Sequence, residues 1–168
     1  MQFTEKQFFR QFFVWTLLIA ILIISLIPIF KTNHPSILGV IIYTSPIILI
    51  IILYVIMNLQ TTINENGIMI KFYPFHRKQK VFNWEDIAHI ELLKYSPLFE
   101  YGGWGIRGLG DDKAYNVRGN TGLKIFFKNK NKILIGTQKP DELRDFIENL
   151  KNQKEINFTD ITKQKANP

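Results

Sequence analysis

The chain has 168 residues, a formal net charge of +7 and no cysteine. Its length allows one soluble domain of a little over 100 residues beside an apolar first third, enough for a single core but not for two. The missing cysteine excludes a disulfide framework, a thiolate metal site and a cysteine nucleophile together. Only Lys6, Arg10, Lys31 and Glu5 are charged before residue 61, so eighteen cations and thirteen anions fall in the remainder.

Residues 1–11 read as a cytoplasmic N-terminus. Residues 12–30 follow as a first apolar span, 31–36 as a polar turn, and 37–58 as a second span. Twenty residues from Gln11 to Phe30 carry no charge. At about 1.5 Å per residue they make roughly 30 Å of helix, the thickness of a hydrocarbon core. Pro28 is placed to close the first helix. Pro46 should kink the second, with a nearby Ser or Thr taking up the freed carbonyl. Trp15 and Tyr54 fit one aromatic belt. The first run is too long for a cleaved signal and no small-x-small site follows it. Neither span holds a charge, so neither offers a proton relay.

Flanking charge sets the orientation. Lys6 and Arg10 precede the first span, Lys31 alone lies in the turn, and the long basic segment follows the second span. The positive-inside rule then puts both termini in the cytoplasm and the turn outside, a multi-pass protein of the cell (inner) membrane. A basic domain so tethered is drawn to anionic headgroups, and the tether argues against a nucleic-acid partner.

The remainder alternates in short strands. Asn58–Thr62 leads straight out of the second span, and Asn66-Gly67 is a strong hairpin signal. Ile68, Ile70 and Phe72 then alternate with Met69, Lys71 and Tyr73. A basic turn, Phe75-His76-Arg77-Lys78-Gln79-Lys80, leads to a strand over 81–84, a corner at Trp84-Glu85-Asp86-Ile87, and a strand over 87–95 that Ser96-Pro97 stops. The stretch 100–112 holds five of the ten glycines. Strands are expected over 113–117, 122–128 and 132–137. Pro140 then opens a helix with Asp141 and Glu142 in its first turn, and Leu143, Phe146, Ile147 and Leu150 form one stripe. Residues 152–168 turn polar and read as a disordered tail. Its Asn157-Phe158-Thr159 matches a glycosylation acceptor that a cytoplasmic tail would not present to the enzyme.

The fold class expected is α+β: a two-helix transmembrane hairpin, then a barrel of about seven strands over 59–151 closed by a C-terminal helix. Two spans, the Asn66-Gly67 hairpin, the Trp84-Glu85-Asp86-Ile87 corner, Tyr101-Gly102-Gly103-Trp104-Gly105-Ile106-Arg107 and Leu134-Ile135-Gly136-Thr137-Gln138-Lys139-Pro140 follow one another. In this the chain resembles small bacterial membrane proteins with a cytoplasmic pleckstrin-homology-like (PH-like) domain. The resemblance covers about residues 12 to 151. It implies a fold and a location, and little chemistry.

The glycine-rich stretch lacks the Lys-Ser/Thr of a P-loop and is flanked by strands on both sides. Its glycines suit positive φ and a bulge, with Trp104 packed as a lid. Read as a ligand loop instead, Trp104 would stack and Arg107 would recognise an anion, giving a small-ligand or lipid-headgroup pocket over 101–112. Arg77, Lys78 and Lys80 form a second candidate surface for anionic lipid or a partner. Asp111-Asp112 reads as a solvated turn, and Glu85-Asp86 as a cap. His34, His76 and His89 show neither metal nor catalytic spacing. No metal, cofactor or catalytic set is expected. The function expected is a membrane-anchored, non-enzymatic module that binds a protein partner or self-associates at the inner leaflet.

Overall fold

The computed structural model describes residues 1–31, 36–153 and 156–162. They form two compact units, one of Phe9–Met57 and one of Met1–Phe8 with the chain from Asn58 onward. The coarse architecture is α+β, as the alternation of the sequence implies: two long apolar helices, then sheets, then a helix.

The helical unit holds α1 (Phe12–Lys31) and α2 (Ile37–Ile56), each long and apolar enough to cross a membrane. Helix α1 runs on through Pro28 for three more residues, so the proline does not end it. Ser36 caps α2, its Oγ accepting the Gly39 N–H at 3.1 Å. Pro46 cannot donate to Ile42, but the nearby Thr44 hydroxyl donates to the Val40 carbonyl (2.8 Å) and not to the one Pro46 frees. Trp15 and Tyr54 do meet, ring centroids 5.5 Å apart and edge-on, and the Tyr54 hydroxyl donates to Gln11 Oε1 at 2.6 Å. Residues 32–35, and His34 with them, lie outside the described residues.

The second unit opens with an element that the sequence reading passed over. Residues 2–8 form strand β1 (Gln2–Phe8), paired antiparallel with β2 (Asn58–Asn64) along its whole length, from Gln2 opposite Asn64 to Phe8 opposite Asn58. The two apolar helices are therefore an insertion in a β-hairpin, leaving after Phe8 and returning at its neighbour Asn58. Strands β3 (Gly67–Tyr73) and β4 (Lys80–Asn83) complete this sheet in the order β1-β2-β3-β4. The Asn66-Gly67 hairpin forms as expected, and Trp84 Nε1 donates to the Asn64 carbonyl (2.9 Å), tying the 3₁₀ corner Trp84–Asp86 to it.

The other sheet has six strands: β5 (Ile87–Lys94), β6 (Gly105–Arg107), β7 (Asp112–Asn116), β8 (Thr121–Phe127), β9 (Lys132–Gly136) and β10 (Phe158–Asp160). Their order is β10-β5-β8-β9-β7-β6, with β7–β9 and β10–β5 parallel. A closed barrel of about seven strands is thus not what forms. Among the described residues ten strands lie in two sheets, each with two open edges.

Between β5 and β6 a short helix α3 (Pro97–Tyr101) forms, and α4 (Pro140–Gln153) follows β9. Helix α4 buries Leu143, Ile147 and Leu150, with Phe146 half-buried against Phe3 of β1 at 6.2 Å between rings. Ile63, Ile70, Phe72, Ile90, Leu92 and Ile125 are fully buried in the sheets. The tail is also not wholly irregular. Phe158 is buried in β10, and Asp160 is gripped by the Arg144 guanidinium and by Thr162. Burial alone would raise the Asp160 carboxyl, but the Thr162 bonds and then Arg144 hold it below the usual range.

Strand β1 buries Phe3, Glu5 and Gln7 on its inner side. Glu5 accepts the Thr137 hydroxyl and the Gln138 N–H, both at 2.7 Å, and the Gln7 amide donates to the Gly136 carbonyl at 2.6 Å. Two polar side chains thus fasten the first strand to the turn that launches α4. Burial pushes the Glu5 carboxyl above its ordinary range, against the bonds from Gln138 and Thr137. Glu5→Ala should cost about 1–3 kcal/mol, because it strands two donors, and thermal unfolding in detergent measures it. The folded-state pKa lies above the unfolded one, so this contribution favours folding below the carboxylate range and fades as pH rises through the folded value. Glu5→Gln should therefore gain on wild type as pH rises from the ordinary carboxylate range through the raised folded-state value. A difference that ignores pH contradicts that burial.

Candidate functional site

The residues singled out by sequence fall into two places. Around the glycine-rich stretch, α3 ends at Gly102 in the left-handed conformation (φ 68°), and β6 and β7 pair across the turn that follows. At Gly108 (φ 82°) a Cβ would come 2.1 Å from the Asp112 carbonyl oxygen, so only glycine fits this turn. The stretch is therefore an ordered helix and hairpin.

Side chains fasten it from three directions. Asn116, fully buried, accepts the Gly105 N–H at 2.9 Å. Trp104 Nε1 donates to the Gly119 carbonyl at 3.3 Å, which lays the indole toward the β7–β8 turn. Arg107 folds back, its Nε donating to the Trp104 carbonyl at 2.9 Å. Tyr101 donates to Asp112 Oδ1 (3.2 Å), and Lys124 Nζ lies 3.3 Å from Asp112 Oδ2 and 3.4 Å from the Tyr101 hydroxyl. Asp112, expected as part of a solvated turn, is a joint between this loop and β8. Burial, helped by Asp112, drives the Tyr101 phenol far above its ordinary range, so it stays a neutral donor. Behind it, burial pushes Tyr95 up to about 12. The Tyr95 hydroxyl and the Asn116 Cβ both abut Gly136, and neither that hydroxyl nor Asn116 Nδ2 reaches a partner at good hydrogen-bond geometry among the described residues.

This loop carries an apolar surface of the β-rich unit. Leu98, Phe99, Ile106 and Leu109 are all exposed, Phe99 by 93% and Leu109 by 94%. Ile106 lies in β6 and the other three flank it, and among the described residues the outer edge of β6 is unpaired. Sequence reasoning stressed Trp104 and Arg107 and passed over these four, although Leu-Phe beside a proline and Leu between two glycines was the available signal.

The basic turn is the second place. Its cations do not act as one cluster. All three are exposed, but Lys80 donates to the Tyr115 hydroxyl at 2.8 Å, with its Nζ 5.2 Å from that ring, whereas Arg77 and Lys78 make no such bond among the described residues. His76 turns inward, Nδ1 accepting the Phe72 N–H (3.1 Å) and its ring meeting Tyr115 edge-on at 5.5 Å. Burial, then the Lys80 charge, holds His76 below its ordinary pKa, so the imidazole is neutral at pH 7. A cleft of about 480 Å³ opens elsewhere, between β4 and the β8–β9 turn, lined by Val81, Phe82, Asp86, Phe127 and Lys128. His89 stacks on Phe126 at 4.1 Å. Among the described residues, no three His, Asp or Glu side chains converge as a metal site would require.

The chain matches no protein-family model and no curated protein sequence.

The fastening of the loop can be read directly. Asn116→Leu leaves the Gly105 N–H without its acceptor, at a cost of about 1–3 kcal/mol. Hydrogen exchange over residues 102–112 should quicken in Asn116→Leu and in Tyr101→Phe, with β2 and β3 unchanged. Unaltered exchange in both variants would contradict the described bonds.

Proposed function

We propose that this chain is a membrane-anchored, non-enzymatic interaction module at the inner leaflet, presenting its α3–β6 loop to a protein partner or a second copy. The observation that carries the reading is the group Leu98, Phe99, Ile106 and Leu109, held outward beside an open strand edge. A loop stapled by Asn116, Tyr101 and Lys124 loses little entropy on docking, which favours association.

Anchoring is supported by the helices. Twenty large apolar residues between Phe12 and Ile56 are exposed. Leaving them in water costs on the order of 1 kcal/mol each, more in sum than the roughly 5–15 kcal/mol that stabilises an ordinary domain. Lipid removes that cost. Since the helices leave and re-enter one β-hairpin, residues 1–8 and the chain after Asn58 lie on one side, and Lys6, Arg10 and the basic domain make that side the cytoplasm.

The PH-like reading belongs to the same proposal. Two sheets and a closing amphipathic helix favour it, while the open edges and the parallel β7–β9 pair depart from it. A ligand pocket at the loop has less support, because Trp104 and Arg107 both donate within the loop region.

A photo-crosslinking residue at Leu109 should give a discrete adduct in native membranes, and one at Glu65 should not. Leu98, Phe99 and Leu109 all changed to Ser should lower the yield from a crosslinker at Ile106 several-fold, with thermal unfolding nearly unchanged. Equal yields at 109 and 65, or none at 109, would reject the proposal.

A further inference from the structure

We infer that the β3–β4 turn is a second membrane contact, in which Tyr73 and Phe75 sit at headgroup level and Arg77 and Lys78 bind the phosphates of anionic phospholipid. The inference rests on the reading above that α1 and α2 span the bilayer, and it follows from strand register.

Phe8, Asn58 and Tyr73 form one row across the first sheet, since Phe8 pairs with Asn58 and Asn58 with Tyr73. Asn58 is where the chain comes off α2, with Met57 alone between. At no more than about 3.6 Å per residue, the last helical residue lies within about 7 Å of chain from this row. Paired Cα atoms are about 5 Å apart, so chain connectivity alone keeps Tyr73 close to the point where α2 ends. Strand β4 resumes only at Lys80, opposite Ile70, so residues 74–79 project from that same end. The opposite end carries the Glu65-Asn66 turn, a strand length of roughly 20 Å away.

The turn has the composition such a position needs. Tyr73 is 45% exposed and Phe75 54%, and the two are followed by exposed Arg77 and Lys78. Aromatic side chains favour the interface, and cations favour anionic headgroups there. The internal contacts select which residues point outward. His76 and Lys80 are both held at Tyr115, and Phe75 leans on buried Phe72 with ring centroids 6.1 Å apart. That leaves Arg77 and Lys78 without a hydrogen bond or ion pair among the described residues. Lys80, grouped with them on sequence, belongs to the fold.

The chain has no cysteine, so single spin labels can be placed cleanly. The full-length protein would carry Phe75→Cys, Asn66→Cys or Ile48→Cys, in nanodiscs of pure phosphatidylcholine or with phosphatidylglycerol added. Collision with oxygen and with a water-soluble nickel chelate then reports depth. The Phe75 label should read headgroup depth in the anionic discs, and the Asn66 label should read bulk water. Arg77→Glu with Lys78→Glu should reduce the ratio of headgroup to bulk-water populations at position 75 by more than tenfold, since each cation contributes about fivefold to that ratio near an anionic surface. An Ile48 label outside the hydrocarbon would sink the spanning reading itself. An Ile48 label in hydrocarbon with the Phe75 label in bulk water, or charge reversal without effect, would overturn this inference alone.

Discussion

The pairing of β1 with β2 is the constraint on which the rest depends. Seven residues at the start of the chain hydrogen-bond to seven that follow two apolar helices. Closing so long a loop costs only slightly more than closing a short one, because the penalty grows with the logarithm of length. The helices also bring their own ends together, since they run back to back as a hairpin with Leu18 and Ile47 buried. Once the ladder forms, the helical segment must begin and end at neighbouring points. Its two ends cannot emerge on opposite sides of anything it crosses.

The same strand carries the constraint to the far end of the sequence. Glu5 and Gln7 reach Gly136, Thr137 and Gln138, the turn from which α4 departs, while Phe3 meets Phe146 on that helix. Helix α4 in turn holds the last strand through Arg144 and Asp160. The first and last described elements are thus connected by a short chain of polar bonds across a domain whose interior is otherwise mostly apolar. Gly136 is central to it, because a Cβ there would come 2.9 Å from that of Asn116, which holds the exposed loop.

Much of this was legible in the sequence. Period-two runs marked β2, β3, β5, β8 and β9 to within a residue or two, and the Pro140 start and apolar stripe marked α4. Four elements were not legible, for different reasons. The inward face of β1 is Phe3, Glu5 and Gln7, which a hydropathy pattern reads as noise because its buried groups are satisfied by partners some 130 residues away. Strand β10 has one buried apolar residue in a polar tail, and what holds it, the β5 ladder and Arg144, lies elsewhere in the chain. Helix α3 and strand β6 are one turn and three residues long, too short to show any period. Of the candidate residues, the bonds of Lys80 and Asp112 were not legible because their partners, Tyr115 and Lys124, are distant in sequence. The barrel expectation failed on topology: which strands neighbour one another depends on crossovers, and strand periodicity carries no record of them.

The most direct test is the sidedness of three single cysteines in sealed vesicles, at Thr4, Ser36 and Lys113, probed with a membrane-impermeant maleimide before and after permeabilisation. If the β1–β2 ladder brackets a pair of spanning helices, positions 4 and 113 react from one side and position 36 from the other. Labelling of all three from the same side, or of 4 and 113 from opposite sides, would contradict the account.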